Sequence, residues 1–415
     1  MHWFTAVFLA ALALTTVARL WLSRRHIRYV LAKRNAVPAE FAASISLATH
    51  QKAADYTAAK TRLGALETLA AAAVLLGFTL GGGLQFLFEG WERIFEAGGY
   101  AHGIALIISV AFISSVIDLP FALYRTFVIE SRFGFNRMSI ALFFVDLAKQ
   151  TALGALLGIP LLLCVLWLMG RMGDWWWIYV WLTWVAFSLI VQILYPTLIA
   201  RWFNKFTPLE DPGLKDRIGG LLAKCGFRLR GLFVMDNSKR SSHGNAYFTG
   251  FGAAKRIVLF DTLISRLAPP EIEAVLAHEL GHFSRHHVWK RMALVFGASL
   301  AFLWLLGWLI GQEWFYAALG VRSRSTAMAL VLFFMVVPVF TFLLQPLASW
   351  YSRLHEFEAD AYAARVADPR DLARALVRLY EDNAATLTPD PLHSAFYDSH
   401  PPAMLRIARL HTQQT

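Results

Sequence analysis

Charge and thiols are what this chain has least of. Only 16% of its 415 residues are Asp, Glu, Lys or Arg, against 57% hydrophobic residues that include 32 Phe and 15 Trp. A soluble enzyme needs a more polar surface, so this composition excludes an ordinary cytosolic globule and points to a membrane. The two cysteines, Cys164 in an apolar run and Cys225 in a polar one, make no disulfide framework and no CxxC pair. Also missing is a basic region ahead of the first apolar run at residues 4–21, or a small-residue cleavage site after it. That run therefore reads as a retained span rather than a secretory signal. The formal charge of +11 raises nucleic acid as a partner. The basic residues, however, sit beside apolar runs without an aromatic-interleaved stripe, so no nucleic-acid partner is expected.

Seven apolar runs are present, at 4–21, 65–88, 101–123, 151–170, 175–198, 292–312 and 327–347. Each is near the ~20 residues that cross the hydrocarbon of a bilayer. Eight Lys or Arg fall between 22 and 62 and four between 124 and 150, while the opposing loops hold Arg93, Arg171, Arg322 and Arg324. This asymmetry places the N-terminus outside, and the loop from 199 to 291 and the tail from 348 in the cytoplasm. The expected fold class is mainly α, a seven-span integral membrane protein whose partner is the lipid bilayer. The chain divides into five spans with their loops at 1–198, a cytoplasmic portion at 199–291, spans six and seven at 292–347, and a C-terminal cytoplasmic portion at 348–415.

Gly81, Gly82 and Gly83 lie in the second run, Pro160 in the fourth, Pro196 near the end of the fifth and Pro338 in the seventh. Such positions serve either close helix packing or a water-filled cavity. Asp118, two residues before Pro120, should face protein or water rather than acyl chain. Between spans five and six, short β-rich pieces at 232–235, 245–249 and 256–260 are punctuated by Gly244, Gly250 and Gly252, as in a hairpin or small sheet. An edge strand there would either align an extended substrate or simply cover a helix.

The chemistry centres on His278-Glu279-Leu280-Gly281-His282. Four residues apart on a helix, His278 and His282 share a face and converge on one metal. Glu279 lies about 100° round, placed to activate a water without taking a ligand position. Pro269-Pro270-Glu271 suits a helix entry. A catalytic zinc needs a third protein ligand and one open position. The short-range extension that would supply a third His ten residues after the first is absent, because Arg285 and Val288 hold the two positions it needs. On a straight helix His278, His282 and His286 would spread over about 12 Å, so His286 and His287 read as surface or interfacial. The better source is Glu356-Phe357-Glu358-Ala359-Asp360. Glu356 and Asp360 share a helix face; one can ligate while the other accepts an N–H from a ligand His. Glu358 points elsewhere and reads as solvated or paired, and His355 as local packing or a surface group. Ser399-His400-Pro401-Pro402 offers His400 as an oxyanion donor or a turn residue, and Asn245 is a candidate for a substrate backbone.

HELGH at 278–282, EFEADAYA at 356–363, SSHGNAYFTGF at 241–251, SHPP at 399–402 and ESRFGFNRMS at 130–139, with Phe144 and Asp146 after it, closely resemble the integral-membrane zinc endopeptidases called CAAX prenyl protease 1. The resemblance covers nearly the whole chain. It implies a helical barrel around a chamber, closed on its cytoplasmic side by a zincin-like domain. It implies one Zn2+ per chain held by His278, His282 and Glu356, catalysis by Glu279, Asp360 behind a ligand, and Asn245 and His400 lining the groove. The implied substrates are peptides or proteins carrying a C-terminal prenylated cysteine, from which three residues are removed. Prenyl-independent membrane-protein quality control is the alternative, and a transporter or scaffold the remote one. Short loops and the ending HTQQT, without a dilysine tail, look more like a bacterial relative in an inner membrane than a eukaryotic one.

Overall fold

Among the described residues of the computed structural model, seven helices are long and apolar enough to cross a membrane: Trp3–Ala32, Leu47–Phe78, Tyr100–Glu130, Ile140–Arg171, Gly173–Leu194, His287–Leu309 and Thr326–Val366. The structure describes residues 2–227, 231–249 and 256–412, so Gly250 and Gly252 lie outside the described residues. The fold is mainly helical, with seven membrane-spanning helices and a small sheet domain.

The first helix shows how these residues make a span. Phe8, Leu12, Thr15 and Leu22 form a buried stripe, while Trp3, Val7, Leu14, Val17 and Trp21 form an exposed one. In water the second stripe would be a liability, but in hydrocarbon an apolar outer face costs nothing. Local caps start other spans: Ser46, Ser139 and Ser325 each accept a hydrogen bond at 3.1 Å, from the backbone N–H groups of Thr49, Leu142 and Met328.

The second span departs from the sequence expectation of 65–88. Its helix begins at Leu47, taking in the polar stretch, and stops at Phe78. Gly82 turns the chain at φ +79°, and a Cβ on Gly81 or Gly83 would lie 2.8 Å from the carbonyl oxygen of Gly77. The three glycines thus make a reversal rather than a packed span interior, and a separate short helix follows at Gly83–Glu92.

Irregular turns lie near three of the span prolines, while Pro160 sits inside the unbroken helix Ile140–Arg171. Pro120 precedes a π-helical turn at Arg125–Glu130, and Pro196 lies inside another at Tyr195–Ile199. Downstream of Pro338 the seventh span tightens to a 3₁₀ turn at Phe342–Leu344. Asp118 lines two hollows between the helices. One of about 390 Å³ is bordered by Thr15, Arg19, Thr68 and Pro338, and one of about 580 Å³ by Asp146, Asn204 and Arg240. It therefore faces protein-lined space, as its charge requires.

Two spans are rooted directly in the helices that carry the chemical motifs. The HELGH helix, Pro269–Ser284, ends at Arg285, and the left-handed His286 (φ 58°) starts the span His287–Leu309. After its 3₁₀ turn, the seventh span continues as Gln345–Val366, the EFEAD helix. A separate hydrophobic core surrounds this end, with Leu276, Ala277 and Leu280 packed among Ala363, Leu372, Leu376 and Ile407. Each buried Leu or Ile there contributes about 1.5–3 kcal/mol.

Among the described residues the sheet has four strands, β1 (Phe206–Pro208), β2 (Gly231–Met235), β3 (Ala246–Thr249) and β4 (Arg256–Phe260), in the order β1-β2-β4-β3. β2 and β4 run parallel, and the outer pairs are antiparallel. Sequence reading anticipated a hairpin from three of these; the three-residue β1, ending in Pro208, is too short to carry a periodic signal. β3 is an edge strand, and its Phe248 ring packs 5.6 Å from that of Phe283, next to His282.

Candidate metal centre

Placement of the two histidines begins with the entry to their helix. Pro269 and Pro270 supply a pre-set first turn, and the Glu271 carboxylate accepts the Ala268 N–H at 2.8 Å. Glu271 is itself buried and held by Arg378 at 3.2 Å. The middle of the helix then meets the EFEAD helix at Gly281, where an added Cβ would lie 2.9 Å from Ala359 Cα. Only a glycine permits that approach, and it brings Glu356 to the histidines.

His278 Nε2 and His282 Nε2 lie 3.2 Å apart. Glu356 Oε2 is 3.5 Å from the first and Oε1 is 3.4 Å from the second. One ligand atom from each of the three residues falls within 4.8 Å of the other two, forming the His–His–Glu cluster found among the described residues. The arrangement fits a metal. Glu356 Oε2 is buried with no hydrogen-bond partner, an orphan a cation would satisfy. Two imidazole nitrogens and one carboxylate form a donor set suited to a catalytic Zn2+ with an open fourth position.

Asp360 closes the back of His278. It lies 2.8 Å from His278 Nδ1 and accepts a fork from Arg406, Nε at 2.8 Å and Nη2 at 2.6 Å. Burial pushes His278 down, but the neighbouring carboxylates of Asp360, which accepts from the ring, and Glu356 outweigh it and hold the ring at about 9 in the metal-free protein. Sequence reading missed Arg406. Its signal was an arginine on the apolar face of the last helix, where Ala403, Arg406, Ile407 and Leu410 are all buried.

His287 corrects the expectation of a surface or interfacial residue. It is 1% exposed; its Nδ1 lies 2.9 Å from His282 Nδ1 and its Nε2 lies 2.9 Å from Glu358 Oε2. Straight-helix spacing does not reach this far, because the helix ends before His287 and the left-handed His286 turns the chain, returning His287 beneath His282. His286 is exposed. His355 is buried and stacks on His287 with centroids 4.0 Å apart, while Glu358 is paired.

Glu279 is half-buried, with no hydrogen bond to its carboxylate from the described residues; burial pushes its carboxyl up, against the pull of His278 and His282. His400 has a mostly exposed side chain with Nε2 3.5 Å from Glu356 Oε1, and its segment is tied down by Arg353, which donates to the carbonyls of Ser394 and Asp398. Asn245 is exposed just before β3, its Oδ1 accepting the Ala246 N–H; none of its described bonds reaches the cluster. The loop ahead of β3 is fastened to the membrane side by Arg240, which grips the buried Asp146 at 2.7 and 3.0 Å.

Residues 26–205 match the family model described as CAAX prenyl protease N-terminal, five membrane helices, and residues 208–414 match peptidase family M48. A CAAX prenyl protease 1 homolog of Arabidopsis thaliana is 40% identical over 74% of this chain and 72% of its own length. A probable CAAX prenyl protease 1 of Schizosaccharomyces pombe is 33% identical over 92% of this chain and 83% of its own. The crystal structure of S. mikatae Ste24p superposes with a TM-score of 0.91 at 29% identity, covering 99% of each chain. These relatives are eukaryotic and give the bacterial assignment no support.

Proposed function

The chain belongs to the CAAX prenyl protease 1 family of M48 peptidases and is a zinc-dependent membrane endopeptidase, and from that premise we propose that it trims the C-terminus of prenylated proteins using His278, His282 and Glu356 as ligands and Glu279 as proton carrier. The observation that carries this reading is the convergence of the three ligand residues, with a buried Glu356 carboxylate oxygen that has no hydrogen-bond partner among the described residues.

Bound zinc would supply a Lewis acid that polarises a carbonyl and makes water a nucleophile near neutral pH. The protein's own groups do the rest. Glu279, with its carboxyl pushed up, accepts the proton of the attacking water and delivers it to the leaving amine. His400, beside Glu356, donates a hydrogen bond to the carbonyl oxygen as negative charge builds there. Asp360 holds His278 in place by accepting from its Nδ1. The free side of β3 pairs with an extended substrate backbone, and Asn245 at its start completes that contact.

The cationic residues flanking the spans support an N-terminus outside and a catalytic side in the cytoplasm. Compact loops are the support for a bacterial inner membrane. A prenyl-independent quality-control protease shares every step above, so the substrate is decided by experiment. Purified zinc-loaded protein is given two C-terminal peptides that differ only in a farnesyl group on cysteine. Tripeptide release from the farnesylated member alone supports the proposal; equal cleavage of both moves the role to general membrane proteolysis.

A further inference from the structure

His282 Nε2 faces His278 and Glu356, so its Nδ1 points the opposite way, into a contact with no obvious donor. That partner is His287 Nδ1 at 2.9 Å, nitrogen against nitrogen, and a hydrogen bond between them needs one proton on one specified atom. If His287 Nδ1 carried it, neutral His282 would be left with its proton on Nε2 and could not ligate. The far end of His287 settles the choice. Its Nε2 is 2.9 Å from Glu358 Oε2, and an ionised carboxylate only accepts. Lys290 Nζ lies 3.9 Å from the same oxygen. The neutral His287 ring therefore keeps its proton on Nε2 and offers a lone pair at Nδ1.

We infer that Glu358, acting through His287, fixes His282 as the Nδ1–H tautomer and so turns the Nε2 lone pair toward the metal position. The inference rests on His282 being a metal ligand. His287 and Glu358 are positioning residues, one and two contacts behind His282. His355, stacked on His287 at 10° between planes, holds that ring's orientation. The arrangement parallels Asp360 behind His278, with one histidine interposed to cover the greater distance.

The test is zinc affinity of the full-length metal-free protein, measured by competition with a chromogenic chelator, beside the melting temperature of the same samples. His287→Phe should weaken zinc binding about 10–100-fold, as loss of a ligand's outer partner does elsewhere. His287→Gln, whose amide oxygen still accepts from His282, should stay within about threefold of the native protein. Glu358→Lys, at a site 47% exposed and so free of core packing, presents a donor to His287 Nε2 and should also weaken zinc about 10-fold or more. In the double variant Glu358→Lys should add nothing to His287→Phe. Equal losses from Glu358→Lys with and without His287 would mean a charge acting through space, and native affinity in His287→Phe would overturn the relay outright. His282→Ala separates the two readings: native zinc binding there would remove His282 from the ligand set, whereas lost binding with unaffected His287 and Glu358 variants would reject the relay alone.

Discussion

Gly281 and Ala359 meet where the HELGH and EFEAD helices cross, and a methyl group on Gly281 would sit 2.9 Å from both the Cα and the carbonyl oxygen of Ala359. Backbone cannot yield as a flexible side chain does, so the two helices can approach this closely only with glycine there. Glu356 lies one turn before Ala359, and the crossing distance sets its distance to His278 and His282. Gly281→Ala should cost about 1–3 kcal/mol by overpacking. Because the displaced element carries the proposed ligand Glu356, zinc affinity should fall more steeply than stability, by about 10-fold or more. Chelator competition and a melting curve on one preparation check both.

Arg406 and Asp360 form a forked pair, with both residues at or below 5% exposure. Removing the guanidinium strands a buried carboxylate, a change that costs about 3–5 kcal/mol. Arg406→Ala should lower the melting temperature sharply. Arg406→Lys keeps the charge but not the two parallel bonds, so it should recover part of the stability while zinc binding stays weakened.

His393 stacks on the buried His26 with centroids 3.9 Å apart, in the turn that Asp390 caps and Arg25 grips at 2.9 Å. Burial, and then the neighbouring His26, push His393 from 6.5 down to about 3. Between those values the unfolded chain binds more protons than the folded one, so stability rises with pH. The contribution is complete above about pH 6.5 and is lost as pH falls toward 3, at up to about 1.4 kcal/mol per pH unit. His393→Phe should flatten the melting temperature between pH 6.5 and 4; an unchanged slope would assign the acid sensitivity elsewhere.

Zinc should stabilise the protein by mass action, because the unfolded chain has no preformed site. At 100 times its dissociation constant the gain is about 2.7 kcal/mol. Metal-free protein should therefore melt lower and recover on adding stoichiometric zinc, and His278→Ala should abolish the recovery.

Much of this was legible in the sequence, because membrane spans and metal helices are local signals. Hydrophobic length gave seven spans, and the four-residue spacing gave the shared face of His278 and His282. EFEAD pointed to Glu356 and Asp360 because they lie one turn apart. What was hidden depends on backbone turns or on distant chain. His287 was misplaced because a single left-handed residue, His286, redirects it, and helical spacing cannot foresee that. Arg406 comes from the last helix, 46 residues beyond Asp360, with no motif linking them. Gly81–Gly83 sat inside an apolar run that looked long enough to cross, but the positive φ at Gly82 ends the helix early.

In the proposed mechanism Glu279 moves the proton while the cluster beside it holds the metal. This is tested most directly by Glu279→Gln, assayed together for zinc stoichiometry and peptide hydrolysis. The amide keeps the size of the side chain and removes the base, so the account predicts one zinc per chain as in the native protein and hydrolysis reduced about 100-fold or more. Native hydrolysis in a variant that still holds its zinc would contradict it.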